Sequence, residues 1–291
     1  MEQQFRELVL IYISTPLYAV VIAVEILFSH LHNKGFYSTK GTFANAFLMY
    51  ANMGIDILMR TACLAVLNYF FQFRLIESYH SVIFYWALLF FAEDFMYYWL
   101  HRIDHHCRLF WAVHVTHHNS NEFNLTVGFR SSVFQPLYRF IYFIPLSLLG
   151  FKGIDIMFMY SATQIYGILV HTQTIKKMGL LEYILVTPSH HRVHHASNVQ
   201  YLDKNMGMVL IIWDRLFGSF QKEDDNDPVR YGLTKNINTN NPSKIVFHEW
   251  ISIIQDLQRK CSFKNKLMYV FGPPGWSHDG SSKTSRQMRQ S

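Results

Sequence analysis

Three histidine clusters, each beside a long apolar segment, constrain this chain of 291 residues more than any other feature. They are His101-x-x-x-His105, His114-x-x-His117-His118 and His191-x-x-His194-His195. The i, i+3 and i+4 spacings within each cluster place the imidazoles on one face of a helix. These eight neutral nitrogen ligands exceed what one tetrahedral zinc takes, and they suit two adjacent metals that keep room for oxygen. The clusters therefore predict a dinuclear, oxygen-activating iron site.

Isolated histidines need a different interpretation. A histidine on an apolar face is more often a hydrogen-bonded core residue than a metal ligand. This interpretation applies to His30, His32, His80, His248 and His278. Chance cannot easily explain three clusters of similar spacing, because burying so many imidazoles without partners would cost several kcal/mol. His106 and His190 adjoin the clusters and are candidates for additional ligands or for partners of the ligands.

Apolar segments of membrane-spanning length occupy much of the first hundred residues. Residues 8–24 carry no charge, residues 44–71 carry few polar positions, and residues 81–100 are charged only at Glu93 and Asp94. Each segment approaches the ~20 residues that cross a bilayer. The whole chain is 50% hydrophobic and 16% charged, against a usual charged fraction of ~25%. We expect an all-α fold, a multi-pass integral membrane helical bundle with a cytosolic histidine-rich helical cap.

A second pair of apolar segments follows the second histidine cluster. Residues 133–150 and 154–171 are joined by a short turn and predict a helical hairpin. A core hairpin of a soluble protein is the alternative, but a soluble domain would need far more charged surface. The strongly apolar residues 206–213 lead to residues 213–218, which are interpreted as an amphipathic helix on the cytosolic face, and the polar tail after Trp276 is interpreted as disordered.

Loop charges predict the orientation. If residues 44–71 form one span, the loop before them lies on the same side as the histidine clusters. The basic residues on that side are Lys34, Lys40, Lys176 and Lys177. On the opposite side Arg74 is offset by Glu77, so the positive-inside rule places the active site on the cytoplasmic face. A break in this span near Asp56 would change the number of membrane crossings and so reverse the predicted orientation. An i, i+4 ion pair of Asp56 with Arg60 would leave the orientation unchanged.

The net charge of +6 invites a nucleic-acid partner. However, the basic residues are scattered and form no stripe with interleaved aromatic residues, so no nucleic-acid binding is expected. Attraction to anionic lipid headgroups explains the charge better. The three cysteines, Cys63, Cys107 and Cys261, are odd in number and widely spaced, and they predict neither a disulfide framework nor a cysteine zinc site.

Asp94 lies on the helical face that carries the first cluster. It precedes Tyr98 by four residues and His101 by seven. We therefore expect its carboxylate to bind a ligating imidazole, which would fix the tautomer of that ligand. The alternative is that Glu93 and Asp94 mark the end of a helix at the membrane interface.

The order of the clusters resembles the fatty acid hydroxylase/sterol desaturase superfamily of integral membrane diiron enzymes, and within it the alkylglycerol monooxygenases and their bacterial relatives. The most specific matching segment runs from Thr187-Pro188-Ser189-His190-His191-Arg192-Val193-His194-His195 through Asp203-Lys204-Asn205 to Leu210-Ile211-Ile212-Trp213-Asp214-Arg215. The likeness covers residues 90–276. Three positions depart from that group, since His106, Asn121 and Gln173 stand where it has acidic residues.

The resemblance implies three regions, a ligand set and partners. Residues 1–80 would be N-terminal transmembrane helices, residues 81–220 a diiron domain of the fatty acid hydroxylase type, and residues 221–291 a cytosolic segment with the disordered tail. His171 becomes the ninth ligand, by position and by resemblance. Asn124 and Arg130 would orient a headgroup or a reductant, although helix capping and a solvated charge explain these residues equally well. The implied partners are a membrane lipid, O₂ and an electron donor, tetrahydrobiopterin or another.

The predicted function is therefore an O₂-dependent lipid monooxygenase with two irons, and alkylglycerol ether lipids are the leading substrate. A fatty acyl or sterol hydroxylase or a desaturase is the alternative within the same chemistry, because spacing alone does not separate them. A non-enzymatic metal transporter or sensor is the alternative outside it. A transporter would place acids and histidines along several spans at the bilayer midplane, whereas these clusters lie at the ends of the apolar segments.

Overall fold

The computed structural model describes residues 2–291, with side chains from residue 9 onward. This part of the chain contains α-helices, short 3-10 helices and loops, with two isolated β-bridges and no strand. The all-α class is confirmed. The α-helices are α1 (Glu2–Leu31), α2 (Thr39–Phe71), α3 (Val82–His106), α4 (Arg108–His118), α5 (Ile144–Leu148), α6 (Gly153–Leu169), α7 (Pro188–His194), α8 (Ile212–Leu216), α9 (Pro242–Leu257), α10 (Phe263–Phe271) and α11 (Ser285–Gln290). The 3-10 helices are Val127–Phe129, Gln135–Leu137, Arg139–Phe143, Gly179–Tyr183 and Val199–Tyr201.

Two described helices are long and apolar enough to cross a membrane. They are Val9–Leu31 within α1 and Thr39–Phe71, with mean hydropathies of 2.0 and 1.4, and only 11% of the most apolar part of each is buried in the protein. Large apolar side chains such as Phe43 and Leu58 are exposed. Such surfaces need an apolar environment, which a bilayer provides. The third predicted span corresponds to α3, and the multi-pass topology stays a prediction.

Helix α2 is continuous through Asp56. It begins after Ser38, whose side chain accepts a hydrogen bond from the backbone N–H of Gly41 at 3.0 Å, as a helix N-cap does. It then runs without interruption to Phe71. The break near Asp56 that would have reversed the predicted membrane orientation is therefore absent from this helix.

Loop contacts define two ends of the helical bundle. At one end, Asn124 donates to the carbonyl oxygen of Phe36 at 2.6 Å, so the loop between α1 and α2 lies against the segment after the second histidine cluster. At the other end, the backbone N–H of Leu75 donates to the carbonyl oxygen of Leu148 at 2.7 Å. The loop between α2 and α3 therefore lies beside the turn that precedes α6, on the end opposite the α1–α2 loop.

The predicted hairpin forms, but its first arm is not one helix. Residues 133–150 contain two 3-10 helices and the five-residue α5. Pro136 and Pro145 each lie at the start of one of these pieces, where their missing N–H and fixed φ interrupt a longer helix. The second arm is the continuous α6. Gly150 makes the turn with φ +94°, and a Cβ there would lie 2.3 Å from the carbonyl oxygen of Ile76, so only glycine fits.

Buried Glu25 ties α1 to the end of the bundle that carries the second cluster. Its carboxylate accepts hydrogen bonds from the hydroxyl groups of Tyr37 and Thr172, and from the backbone N–H of Leu125 at 3.0 Å. Thr172 directly follows His171. A buried carboxylate with three donors is compensated for its lost hydration, so this residue fixes the position of α1 beside the histidines.

The structure corrects two predictions for the C-terminal third of the chain. The predicted helix does not extend over all of residues 213–218 and does not lie free on the surface, because the buried carboxylate of Asp214 accepts from the backbone N–H groups of Met206 and Gly207 and folds the preceding segment back onto it. Only α8 is helical there. The tail is not structureless either. Thr284 and Gln287 form a capping box at the start of α11, and Arg289 donates to the carbonyl oxygen of Leu202 at 2.6 Å.

Candidate metal centre

Nine histidines converge where α3, α4, α6 and α7 meet. They form two groups, and within each group one nitrogen from every histidine lies within 4.8 Å of the others. The five-histidine cluster is His101, His105, His114, His118 and His194, and the four-histidine cluster is His117, His171, His191 and His195. These are the eight cluster histidines and the ninth, His171, that the sequence predicted as ligands. The structure brings all nine together.

The ring nitrogens face one another at short range. In the five-histidine cluster, Nε2 of His114 lies 3.0 Å from Nε2 of His101 and 3.0 Å from Nε2 of His118. In the four-histidine cluster, Nε2 of His171 lies 3.1 Å from Nε2 of His117 and 2.8 Å from Nε2 of His191. Both groups therefore direct Nε2 atoms toward a common centre, as ligands of one cation do.

Backbone carbonyl groups orient four of these rings from outside. Nδ1 donates to the carbonyl oxygen of Met206 from His101 (2.8 Å), of Arg130 from His117 (3.0 Å), of Gly167 from His171 (2.7 Å) and of Lys204 from His194 (2.9 Å). A carbonyl oxygen only accepts, so Nδ1 must carry the hydrogen and Nε2 keeps its lone pair. This tautomer is the one that a metal requires.

Several inward nitrogens have no other partner. Nε2 of His105, His194 and His195 is buried without a hydrogen bond, and such a buried polar atom costs about 1–3 kcal/mol when left unsatisfied. Burial, and after it the neighbouring histidines, lowers the pKa of His118, His194 and His195 well below 6.5, so these imidazoles are neutral at pH 7. Neutral, unpartnered and converging nitrogens fit a pair of divalent metal ions.

His190 and His106 lie outside both clusters. Buried His190 caps α7, because its Nδ1 accepts from the backbone N–H of Thr187 at 3.3 Å. Pro188 occupies the first turn of the same short helix, a position that its fixed φ favours. His106 is exposed at the end of α3. The structure therefore brings neither candidate into the metal groups.

Asp94 does not bind an imidazole, contrary to the sequence prediction. Its carboxylate accepts from the backbone N–H groups of Val209 (2.9 Å) and Leu210 (3.1 Å) and from Nε1 of Trp213 (2.9 Å). Asp94 is also fully buried within α3 and does not mark its end. Its contribution is indirect, since it holds the segment whose Met206 carbonyl group orients His101.

Two other carboxylates, which sequence reasoning missed, lie beside the five-histidine cluster. Oδ1 of Asp203 is 3.5 Å from Nδ1 of His105, and Oδ2 of Asp104 is 3.9 Å from Nδ1 of His114. The position of Asp104 inside the first cluster, between His101 and His105, was the available signal. Carboxylates near the outer nitrogen of a ligating histidine raise its basicity.

Asn124 and Arg130, for which the sequence left open a role in orienting a headgroup or reductant, are buried parts of the framework. Asn124 donates to the α1–α2 loop, as described above. Arg130 is 2% exposed, and its guanidinium donates to the carbonyl oxygen of Thr116 (2.8 Å), to the side chain of Asn45 (3.0 Å) and to that of Asn119. Arg130 thus fixes the C-terminal end of α4, and it is not a solvated charge.

Comparison with known proteins gives the family. Residues 86–219 match the family model for fatty acid hydroxylase. The chain belongs to that family. The matched region contains all nine clustered histidines together with Asp104 and Asp203. No solved structure matches the chain.

Curated relatives of this family member include alkylglycerol monooxygenases. The chain is 42% identical to the enzyme of Homo sapiens over 194 residues, which is 66% of this chain and 42% of the relative. It is 34% identical to that of Danio rerio over 273 residues, 91% of this chain and 59% of the relative. Lathosterol oxidase of Homo sapiens is 28% identical over 155 residues, 52% of this chain and 48% of that protein. The chain therefore spans about half the length of these relatives.

Proposed function

We propose that this chain is a membrane-bound diiron monooxygenase that hydroxylates a lipid chain with O₂, and that alkylglycerol ether lipids are its leading substrate. The observation that carries the proposal is the set of nine histidines in two adjacent groups, eight of them buried and His117 half-buried. The similarity to alkylglycerol monooxygenases supports the ether-lipid substrate. Fatty acyl or sterol hydroxylation, or desaturation, is the second candidate, and similarity to lathosterol oxidase favours it as the runner-up.

The residues of the chain would hold two irons and keep water from them. When bound there, two irons would supply the redox chemistry by which O₂ is reduced and one oxygen atom enters a C–H bond. The four-histidine cluster is covered by Phe123, which is fully buried and stacks on His171 with 5.5 Å between ring centroids. Tyr231 also stacks on Phe123, with 4.9 Å between ring centroids. This layer of rings separates the cluster from solvent.

We infer a multi-pass topology with the histidine clusters on the cytoplasmic face. Two exposed apolar helices of spanning length support insertion. The α1–α2 loop carries Lys34 and Lys40, and the hydrogen bond from Asn124 to Phe36 holds it beside the segment that follows the second cluster. Basic loops favour the cytoplasmic side, so we assign the histidine clusters to the cytoplasmic side as well. The electron donor would then be a cytosolic reductant, tetrahydrobiopterin or another.

Isotope labelling of the product tests the reaction. Monooxygenation places one atom of O₂ in the lipid and reduces the other to water with two electrons and two protons from the donor. Hydroxylation beside the ether oxygen of an alkylglycerol gives a hemiacetal, which collapses to a fatty aldehyde and glycerol. We expect ¹⁸O₂, supplied to purified iron-loaded protein with reductant and alkylglycerol, to label the aldehyde when it is reduced at once to the alcohol, before its oxygen exchanges with water.

The alternative functions predict different products. Label from water alone, or turnover without O₂, would contradict a monooxygenase. An unlabelled alkene would assign the chain to desaturation, and labelled hydroxylation only of fatty acyl or sterol substrates would replace the ether-lipid assignment. A transporter or sensor would bind metal and give no oxidised lipid with any of these substrates.

A further inference from the structure

Asp104 is a buried carboxylate, and one of its two oxygens has no hydrogen-bond partner. Oδ1 accepts a hydrogen bond from the hydroxyl group of Tyr138 at 2.9 Å, whereas Oδ2 is buried without a hydrogen-bond partner. Oδ2 lies 3.9 Å from Nδ1 of His114 and 4.0 Å from a guanidinium nitrogen of Arg139. Asp104 is 0% exposed, so water does not compensate for the missing contact.

His114 has a ring nitrogen that likewise lacks a hydrogen-bond partner. Its Nε2 faces His101 and His118 inside the five-histidine cluster, while Nδ1 points outward and is buried without a partner. Outer nitrogens of four other rings donate to backbone carbonyl groups, as described above. A neutral imidazole that offers its Nε2 lone pair to a metal carries its hydrogen on Nδ1. The unpaired donor of His114 and the unpaired acceptor of Asp104 therefore face each other.

We propose that Asp104 is a positioning residue for the five-histidine cluster. Its carboxylate accepts a hydrogen bond from Nδ1–H of His114 and so directs Nε2 of that ring at the metal. The two atoms are 3.9 Å apart, and the contact closes by a shift of about 1.0–1.2 Å, to the usual length for a charge-assisted N–H···O bond. The proposal deepens the proposed function and rests on its two-metal centre.

The effect of Asp104 is confined to one of the two metal positions. Asp203 lies near His105 of the same cluster. In the four-histidine cluster the outer partners recorded for residues 9–291 are the backbone carbonyl groups of Arg130 and Gly167. A carboxylate raises the basicity of a ligating imidazole more than a neutral carbonyl group does. The two positions are therefore unequal, and the five-histidine position depends on Asp104.

The buried cation Arg139 complicates any substitution of Asp104. Arg139 donates to the hydroxyl group of Tyr160 at 2.9 Å and has Asp104 as its nearby anion. Removing one partner of a buried charge pair destabilises the fold. A purely structural loss would weaken both metal positions, whereas loss of the positioning contact would weaken one. The experiment must therefore report each position separately.

Two variants of the 291-residue chain serve as backgrounds in which each metal position is measured separately. His191→Ala removes a ligand of the four-histidine cluster and leaves the other position, and His118→Ala does the reverse. Each metal-free background is purified in detergent and titrated with Co²⁺, whose visible absorption reports the coordination. We expect Asp104→Ala to weaken Co²⁺ binding by about 10- to 100-fold in the His191→Ala background. In the His118→Ala background we expect less than about a twofold change.

Tyr138→Phe is the matched control, because it removes the donor to Oδ1 and leaves Oδ2 facing His114. It should leave Co²⁺ affinity in the His191→Ala background unchanged. Equal losses in both backgrounds, an unchanged affinity in the His191→Ala background, or a loss reproduced by Tyr138→Phe would overturn the proposal. Failure of both backgrounds to bind Co²⁺ would instead remove the proposed two-metal centre, and the role of Asp104 with it.

Discussion

At the scale of single residues, Asp94 links α3 to the segment after the third histidine cluster. Its carboxylate serves three donors, two backbone N–H groups and the Trp213 indole. We expect Asp94→Asn to lower the free energy of unfolding by about 2–4 kcal/mol, because one oxygen becomes an NH₂ group that faces donors. Chemical denaturation of the protein in detergent measures this. The control is Asp225→Asn at an exposed ion pair with Lys177, which should change stability by under about 0.5 kcal/mol.

A different outcome for Asp94→Asn would restore the sequence-based prediction. If the variant kept its stability but lost metal about 10- to 100-fold more readily, Asp94 would act on a ligand after all. The ratio of bound metal to protein, measured on the same samples, separates the two results.

Ligand substitutions test the division into two clusters. We expect His105→Ala and His195→Ala each to abolish turnover and to reduce bound metal from about two per chain to about one, because each removes a ligand from a different cluster. His248→Ala is the matched control, since its Nδ1 contacts the carbonyl oxygen of Ile245 away from both clusters. Retention of two metals and of full activity in either cluster variant would contradict the assignment.

Eight of the nine histidines could be predicted from their spacing, which is a local property of helices, whereas His171 was predicted from its position and the family resemblance. His101 and His105, for example, share one face of α3 whatever the rest of the chain does. The partners of the carboxylates could not be predicted in this way. Asp94 contacts residues more than a hundred positions away, and Asp104 contacts Tyr138, 34 positions away. Such contacts depend on tertiary packing, which a helical period does not encode.

At the scale of elements, the C-terminal helices brace α4. Buried Arg108 at the start of α4 donates to Glu249 (2.7 Å), Ser252 (2.8 Å) and Asp256 (2.7 Å), all on α9. It also donates to the carbonyl oxygen of Tyr269 on α10 at 3.3 Å. Helix α4 carries the second histidine cluster, so α9 and α10 stabilise the metal centre from outside it.

Replacing Arg108 by Met should destabilise this brace. Met keeps an unbranched apolar stem, but Glu249 and Asp256 would keep their charges without the guanidinium, at a cost of about 3–5 kcal/mol. We expect faster hydrogen exchange of backbone amides in α4, α9 and α10, and no change in α1. Arg230→Met, at an exposed pair with Asp227, is the control. Identical hydrogen-exchange rates in Arg108→Met and in the unaltered protein would show that the network does not stabilise these helices.

The first arm of the hairpin shows what apolar composition leaves undetermined. Residues 133–150 are apolar enough for a helix, yet Pro136 and Pro145 divide them into 3-10 helices and the short α5. Proline removes a backbone donor and disfavours helical φ and ψ in the residue before it. The sequence predicted the reversal of the chain correctly, because turn and length are visible in it. Local backbone geometry at the prolines follows from packing against α2 and α3.

At the scale of the whole molecule, the two ends of the bundle should lie on opposite sides of the membrane. Single cysteines introduced at Lys34 and Glu77, in a variant without native cysteines, test this with a thiol reagent that does not cross membranes. Sealed vesicles of known orientation should protect one position and expose the other, with Lys34 on the cytoplasmic side. Labelling of both from one side would exclude α2 as a single span, and exposure of Lys34 on the outer side would reverse the proposed orientation.

Acid should destabilise the metal-free molecule through its buried histidines. Burial lowers the pKa of His114, His117, His118, His191, His194 and His195 well below 6.5, so the folded state binds fewer protons than the unfolded chain once the pH falls through about 6.5. Stability is then lost as pH falls, by up to about 1.4 kcal/mol per pH unit for each such histidine. Unfolding free energies of metal-free protein should be constant above about pH 7.5 and drop steeply by about pH 5.5. A flat profile across that range would mean that these imidazoles are solvated, which is incompatible with a buried metal centre.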